Sequence, residues 1–198
     1  ILPGIAGARA VVAGEFIFGA IDTAGRIHTW GINGEGALGR PATPANAAPG
    51  PVTGVPPVAE LALGKGYMLA LTYDGQLYAW GNNAAGQLGL GHLTAVAAPR
   101  RLPLQMRLHS IAAGATHTLA VTAKGDVLAW GSNHHGQLGC PGLAYATAPV
   151  RANLPERMRG VAAGMHFSLA LGDSGQVYAW GWNAHGQLGL DDTEDRRV

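Results

Sequence analysis

Apolar residues along the chain come in short runs that end in glycine, none long enough for an ordinary helix. The stretch YMLALTYDGQLYAWG, residues 67–81, holds two such runs joined by Asp74-Gly75. Apolar runs rich in aromatic and β-forming residues on either side of an Asp-Gly pair predict a β-hairpin with a two-residue turn. The corresponding pairs Ala24-Gly25, Lys124-Gly125 and Ser174-Gly175 keep the glycine that supplies a positive φ. A third strand is predicted before the hairpin, VAELALG at 58–64 with counterparts SIAAG at 110–114 and GVAAG at 160–164. A fourth follows it, APRRL at 98–102. Apolar and polar positions do not alternate in the hairpin: Met68 and Ala70 point to one side, Leu69 and Leu71 to the other. Both faces of each sheet need cover, so sheets must stack on sheets.

This unit is written four times. Trp30, Trp80, Trp130 and Trp180 recur at a spacing of 50, each followed by a glycine, Gly31, Gly81, Gly131 and Gly181. The same spacing carries Asn33, Asn83, Asn133 and Asn183, and GALG at 36–39 returns as GQLG at 86–89, 136–139 and 186–189. These positions are read as the structural frame of a single repeat domain over 1–198, with units at approximately 1–48, 49–98, 99–148 and 149–198. Radial stacking of four-stranded antiparallel sheets covers two apolar faces and protects strand edges. The predicted fold is all-β, a β-propeller of four blades, either a partial ring or a ring completed by a second chain. Each recurrent indole buried between blades would contribute roughly 4 kcal/mol.

Composition narrows the function. Hydrophobic residues make up 47% of the 198 positions, enough for a sizeable core, and a net charge of +1 provides no field to attract nucleic acid or an anionic membrane. The apolar runs fall far short of the ~20 residues of a membrane helix, so a soluble chain is expected, its compartment unassigned. Cys140 stands alone, which excludes an internal disulfide and a four-cysteine zinc site. A start at Ile1 is read as a processed or cropped chain.

The segments LAWGSNHHGQLG, LYAWGNNAAGQLGLG and GATHTLAVTAKGDVLAWG and the tail LGLDDTEDRRV closely resemble the repeat of the regulator of chromosome condensation family. Unit one diverges most, with Ala37 for the motif glutamine and Ile17 where unit three has His117. The resemblance implies a seven-bladed ring. It also implies three activities: guanine-nucleotide exchange on a Ran-type small GTPase, docking to histones and DNA, or, as in bacterial relatives, protein binding and enzyme inhibition. It further implies a structural role for His117.

Sites are sought where units differ. GEGALG at 34–39 matches a dinucleotide-binding fingerprint in letters only, because Pro41 and Pro44 follow where a helix is needed and Glu35 would repel a pyrophosphate. His134 and His135 stand where unit two has Ala84 and Ala85 and unit four has Ala184 and His185. No carboxylate or thiolate at ligand spacing accompanies them, so no metal, cofactor or catalytic group is assigned and an enzyme is not expected. Trp182 replaces Ile32, Asn82 and Ser132, and an exposed loop aromatic suits an interface anchor. Trp182, His134, His135, His185, Asn82 and Glu35 are the candidate partner-binding residues. Arg100, Arg101, Arg151, Arg196 and Arg197 are read as a solvated, locally paired rim. Six prolines between 41 and 57 suit an extended surface loop.

The expected function is a non-enzymatic scaffold that presents variable loops to a protein partner. The alternatives are nucleotide exchange, against which the constant spacing leaves no protruding insertion, and a secreted enzyme inhibitor. Val198 occupies the place of Ala98 and Ala148, and Ile1 that of Pro51, Arg101 and Arg151, so the break falls inside a fourth strand. A homodimer closing an eight-bladed ring is the expected assembly.

Overall fold

The computed structural model describes residues 2, 4–41 and 46–197. The junction of Val198 with Ile1 lies outside them, as does the middle of the proline-rich loop. Four antiparallel sheets follow one another, each laid out in chain order. The first holds β1 (Ala8–Ala13), β2 (Ile17–Asp22), β3 (Ile27–Gly31) and β4 (Gly50–Pro51). The second holds β5 (Val58–Leu63), β6 (Tyr67–Thr72), β7 (Leu77–Gly81) and β8 (Val96–Arg101). The third holds β9 (Leu108–Ala113), β10 (His117–Thr122), β11 (Val127–Ser132) and β12 (Tyr145–Arg151), and the fourth β13 (Met158–Ala163), β14 (Phe167–Gly172) and β15 (Val177–Gly181). In the fourth sheet Arg196 bridges to Gly181, the position at which Val96 pairs with Gly81 and Ala146 with Gly131. The all-β propeller of four blades is thus the observed fold, and its only helical turn among the described residues is the 3-10 turn at Gly34–Gly36.

The first strands β1, β5, β9 and β13 touch in succession, which places them inside the arc and the fourth strands at its rim. Both faces of the inner sheets are covered. Met68, Ala70 and Trp80 pack with Ile17, Ile21, Ile27 and Leu38 of the first sheet. Leu69, Leu71 and Leu77, on the other face, pack with Ile111, Ala120 and Trp130 of the third. β4 is two residues long where β8 has six and β12 seven. Pro49 and Pro51 offer no N–H to extend the ladder.

The hairpin turns differ from the expected two-residue form. The Thr72 N–H bonds the Gln76 carbonyl and the Gly75 N–H the Thr72 carbonyl, so three residues, Tyr73, Asp74 and Gly75, make the loop. Gly75 has φ 80°, whereas Asp74 keeps a negative φ. A two-residue type I′ turn needs positive φ at both positions; a type I turn closed by a left-handed glycine needs it only at the glycine, which is what the four units share. Gly25, Gly125 and Gly175 have φ of 77°, 85° and 88°.

One hydrogen bond repeats at each junction between blades. The indole N–H of Trp80 donates to the Ala37 carbonyl, that of Trp130 to Gln87 and that of Trp180 to Gln137, at 3.1, 2.8 and 2.9 Å. A Cβ on Gly39 or Gly89 would stand 2.6 or 2.8 Å from the indole nitrogen of the following blade, so the last glycine of the motif is a seat for that ring. Trp30 differs: among the described residues no other blade covers it, and it is partly exposed and stacks on Phe18 at 5.8 Å.

Candidate interaction face

The frame builds the loop face by two local devices. Asn33, Asn83, Asn133 and Asn183 each accept the backbone N–H five residues on, from Leu38, Leu88, Leu138 and Leu188, at 2.9 Å. Their amide groups donate back to loop carbonyls, those of Asn83 to His92 and Thr94, which staples each loop shut. The second device is the glycine that ends the third strand. Gly31, Gly81, Gly131 and Gly181 hold φ between 99° and 111°, and a Cβ there would meet the carbonyl of the residue fifteen positions earlier at 2.2–2.6 Å. That close approach lets the next N–H bond the same carbonyl: Ile32 to Phe16, Asn82 to Gly66, Ser132 to Thr116 and Trp182 to His166, all within 2.8–2.9 Å.

The consequence is a fixed juxtaposition. Each residue after the tryptophan-glycine pair lies beside a residue of the inner loop before the hairpin. In the fourth sheet the pair is His166 and Trp182, with ring centroids 6.0 Å apart. His135 from the third sheet reaches both, 5.5 Å from His166 and 5.8 Å from Trp182, and His185 meets Trp182 edge-on at 5.1 Å. The structure thus gathers three sequence candidates, Trp182, His135 and His185, and adds His166. His134 is exposed beside them, its carbonyl accepting from Arg197. Asn82 and Glu35 belong to other sheets; Asn82 accepts from the Ala84 N–H and the Gln87 amide, and Glu35 sits exposed at φ 54° in the 3-10 turn.

His135 Nδ1 is 2.9 Å from Asp195, whose other oxygen accepts the Asn183 N–H. Burial opposes the charge on Asp195, yet the His135 and Asn183 bonds hold its pKa below the usual carboxylate value. His166 is held below the ordinary histidine value by burial, then by the neighbouring positive ends of His135, His134 and Lys65. Its Nδ1 is enclosed without a hydrogen-bond partner among the described residues. Among those residues no group of three or more His, Cys, Asp or Glu is placed to hold a metal ion.

Toward the inside of the arc a cavity of about 450 Å³ opens on the same face, lined by Glu15, Lys65, Thr116, Met165 and His166. At the first sheet Phe16 and Ile32, each 57% exposed, flank a second hollow of about 400 Å³ against Gly66. The loop face is therefore a shallow funnel with an aliphatic and aromatic patch at one end and an indole–imidazole cluster at the other. Phe16, Lys65, Met165 and His166 escaped the sequence reading. A signal existed, since the inner-loop pairs Glu15-Phe16, Lys65-Gly66, Ala115-Thr116 and Met165-His166 vary from unit to unit.

Other candidates resolve into structure. His117 is fully buried and lies 3.0 Å from the Ser168 hydroxyl, with its pKa pushed down to about 3 by burial and then by His166. The Cys140 thiol donates to the Arg151 carbonyl, and burial raises its pKa, away from a reactive thiolate. At the rim Arg151 pairs with Asp126 at 2.6 Å and Arg196 with Asp192. No helix among the described residues is long and apolar enough to cross a membrane.

The RCC1-like domain family matches residues 2–198. Among solved structures, Prp20p of Saccharomyces cerevisiae, described with its binding to Gsp1p and histones, shares 28% identity and a TM-score of 0.88 over the whole of this chain and 51% of its own. Yeast RCC1 (Prp20) bound to Kap60 shares 27% at a TM-score of 0.88, with 49% of its chain covered. Human WBSCR16 shares 25% at a TM-score of 0.89, with 53% covered. The chain spans about half the length of these proteins. No curated protein matches it significantly by sequence.

Proposed function

Because the chain belongs to the RCC1-like domain family, we propose that it is a protein-interaction propeller whose partner docks on the loop face. The observation that carries this reading is the cluster of His135, His166, Trp182 and His185, four rings at positions whose residue varies among the units, on a frame whose constant positions are occupied in packing. Aromatic groups held rigid at the centre of a polar rim are the usual anchors of protein interfaces. Phe16 and Ile32 supply a second apolar contact across the funnel.

The test compares proteins captured by the wild-type chain with those captured by Trp182→Ala, Phe16→Ala and, as a control at the opposite end, Met106→Ala. Met106 is 47% exposed in the loop beside the hairpin turn of the second sheet. A partner retained by Met106→Ala and weakened by roughly tenfold or more in the loop-face variants is the expected result. A partner indifferent to both loop-face changes would place the contact elsewhere.

Exchange on a Ran-type GTPase is the second reading, favoured by the likeness to Prp20p, whose binding to Gsp1p is described. Release of a labelled guanine nucleotide from such a GTPase, accelerated by this chain, would support it, and an unchanged release rate would discard it.

A further inference from the structure

The ion pairs at the rim and the hairpin turns do not recur in every unit. Arg151, at the end of β12, pairs with Asp126 at 2.6 Å, and Arg157, in the loop before β13, stands 4.0 Å from Asp173. Fifty residues earlier the same two cations are present as Arg101 and Arg107, but the acids are replaced by Gln76 and Ala123. Arg100, whose counterpart in the third unit is Val150, adds another guanidinium beside them. Arg100, Arg101 and Arg107 are exposed, and their side chains make no hydrogen bond or ion pair among the described residues. Asp74 attracts Arg107 from the hairpin turn, but its two oxygens already accept from the Thr72 hydroxyl and the Gln76 amide.

These cations border an open groove. β8 is the outer strand of the second sheet, with β7 on one side and no strand on the other among the described residues. Along it runs a hollow of about 690 Å³ lined by Leu90, Val96, Ala97, Ala98, Arg100 and Arg101. Arg101 also lines a smaller hollow of about 180 Å³ that reaches Gln76, Gln105 and Arg107. On the third sheet the Thr147 carbonyl of β12 accepts the Gly91 N–H; the residue at that position before β8 is Pro41, which has no N–H to give to Ala97. The second sheet has a sheet packed on either side, so this rim is not a junction between blades.

We propose that an extended acidic segment of a partner protein lies along β8, with its carboxylates on Arg100, Arg101 and Arg107 and its small apolar residues over Val96 and Ala98. The occupant follows from charge complementarity. The segment provides from outside the carboxylates that Asp126 and Asp173 provide to the counterpart arginines within the chain. A guanidinium takes a carboxylate through two parallel hydrogen bonds, which fixes where each acid sits. An outer strand flanked by small side chains is a surface on which an extended segment can be laid. The contact is separate from the loop face and does not rest on that reading.

The probe is a labelled synthetic peptide in which alternating valine and serine lead into a run of glutamates, titrated with the chain by fluorescence anisotropy at low salt. Gln76→Asp places on the second sheet the acid that the third has at 126, and so ties Arg101 within the chain. Binding is expected to weaken roughly tenfold or more in Gln76→Asp and in the double variant Arg100→Gln with Arg101→Gln. It should be unchanged in Arg151→Gln, whose arginine is already paired. Circular dichroism verifies that each variant keeps the fold. No binding by the wild type, equal binding of the same peptide with glutamines for glutamates, or full binding by either Gln76→Asp or the double variant would overturn the proposal. So would a loss in Arg151→Gln as large as theirs. A DNA duplex bound more tightly than the peptide would assign the patch to phosphates and overturn it as well.

Discussion

The four tryptophans share a repeat position but not an environment, and energetics follow the environment. Trp130 fills a closed junction and its indole donates to Gln87, so Trp130→Ala should cost about 3–5 kcal/mol in urea unfolding. Trp30→Ala removes a partly exposed ring stacked on Phe18 and should cost about 1 kcal/mol. Equal losses at the two sites would contradict this difference in environment. His117 provides a second residue-scale test. The folded chain keeps it neutral down to about pH 3, whereas an unfolded histidine binds a proton near 6.5. Below 6.5 the unfolded state therefore takes up a proton that the folded state refuses, and stability falls with decreasing pH by up to about 1.4 kcal/mol per unit. His117→Phe, which installs the residue found at the equivalent position 167, should flatten that slope between pH 6.5 and 4 in denaturant titrations. An unchanged slope would show that His117 is not the group responsible.

At the scale of the element, the hairpin turns separate backbone strain from steric contact. Gly75 and Gly175 have φ of 80° and 88°, but a Cβ on Gly75 would press to 2.8 Å on Arg107 and Leu108, whereas one on Gly175 meets open space. Gly175→Ala should cost about 1–2 kcal/mol for the left-handed backbone alone, and Gly75→Ala clearly more. Thermal unfolding of the pair measures the difference, and equal costs would mean that the neighbouring loop yields freely. The sheets themselves were legible in sequence because glycine and tryptophan recur in step with the strands, and because Met68 and Leu69 on successive positions demanded two covered faces. The form of the turn was not, since an Asp-Gly pair fits both a two-residue turn and a three-residue one. Only the bond that the Thr72 N–H donates to the Gln76 carbonyl decides between them.

For the whole molecule, the repeat makes a rigid frame and the departures from it lie together on one face. Half of that site was readable: Trp182 stands out because its counterparts are Ile32, Asn82 and Ser132, and His135 and His185 because they share a repeat position that holds Glu35 and Ala85 in the first two units. His166 did not, because the inner loop looks like a connector until the Trp182 N–H is seen to bond its carbonyl. The meeting of His135 with His166 and Trp182 depends on how neighbouring sheets stack, which no spacing within one unit encodes. The central claim is that partner contact falls on this face while the repeated positions serve packing. Amide hydrogen exchange of the chain, alone and with a captured partner, tests it most directly. The account predicts new protection in residues 165–166, 182–185 and 134–135, with the hairpin turns at 73–76 and 123–126 unchanged. Protection confined to those turns, with the loop face still exchanging freely, would contradict it.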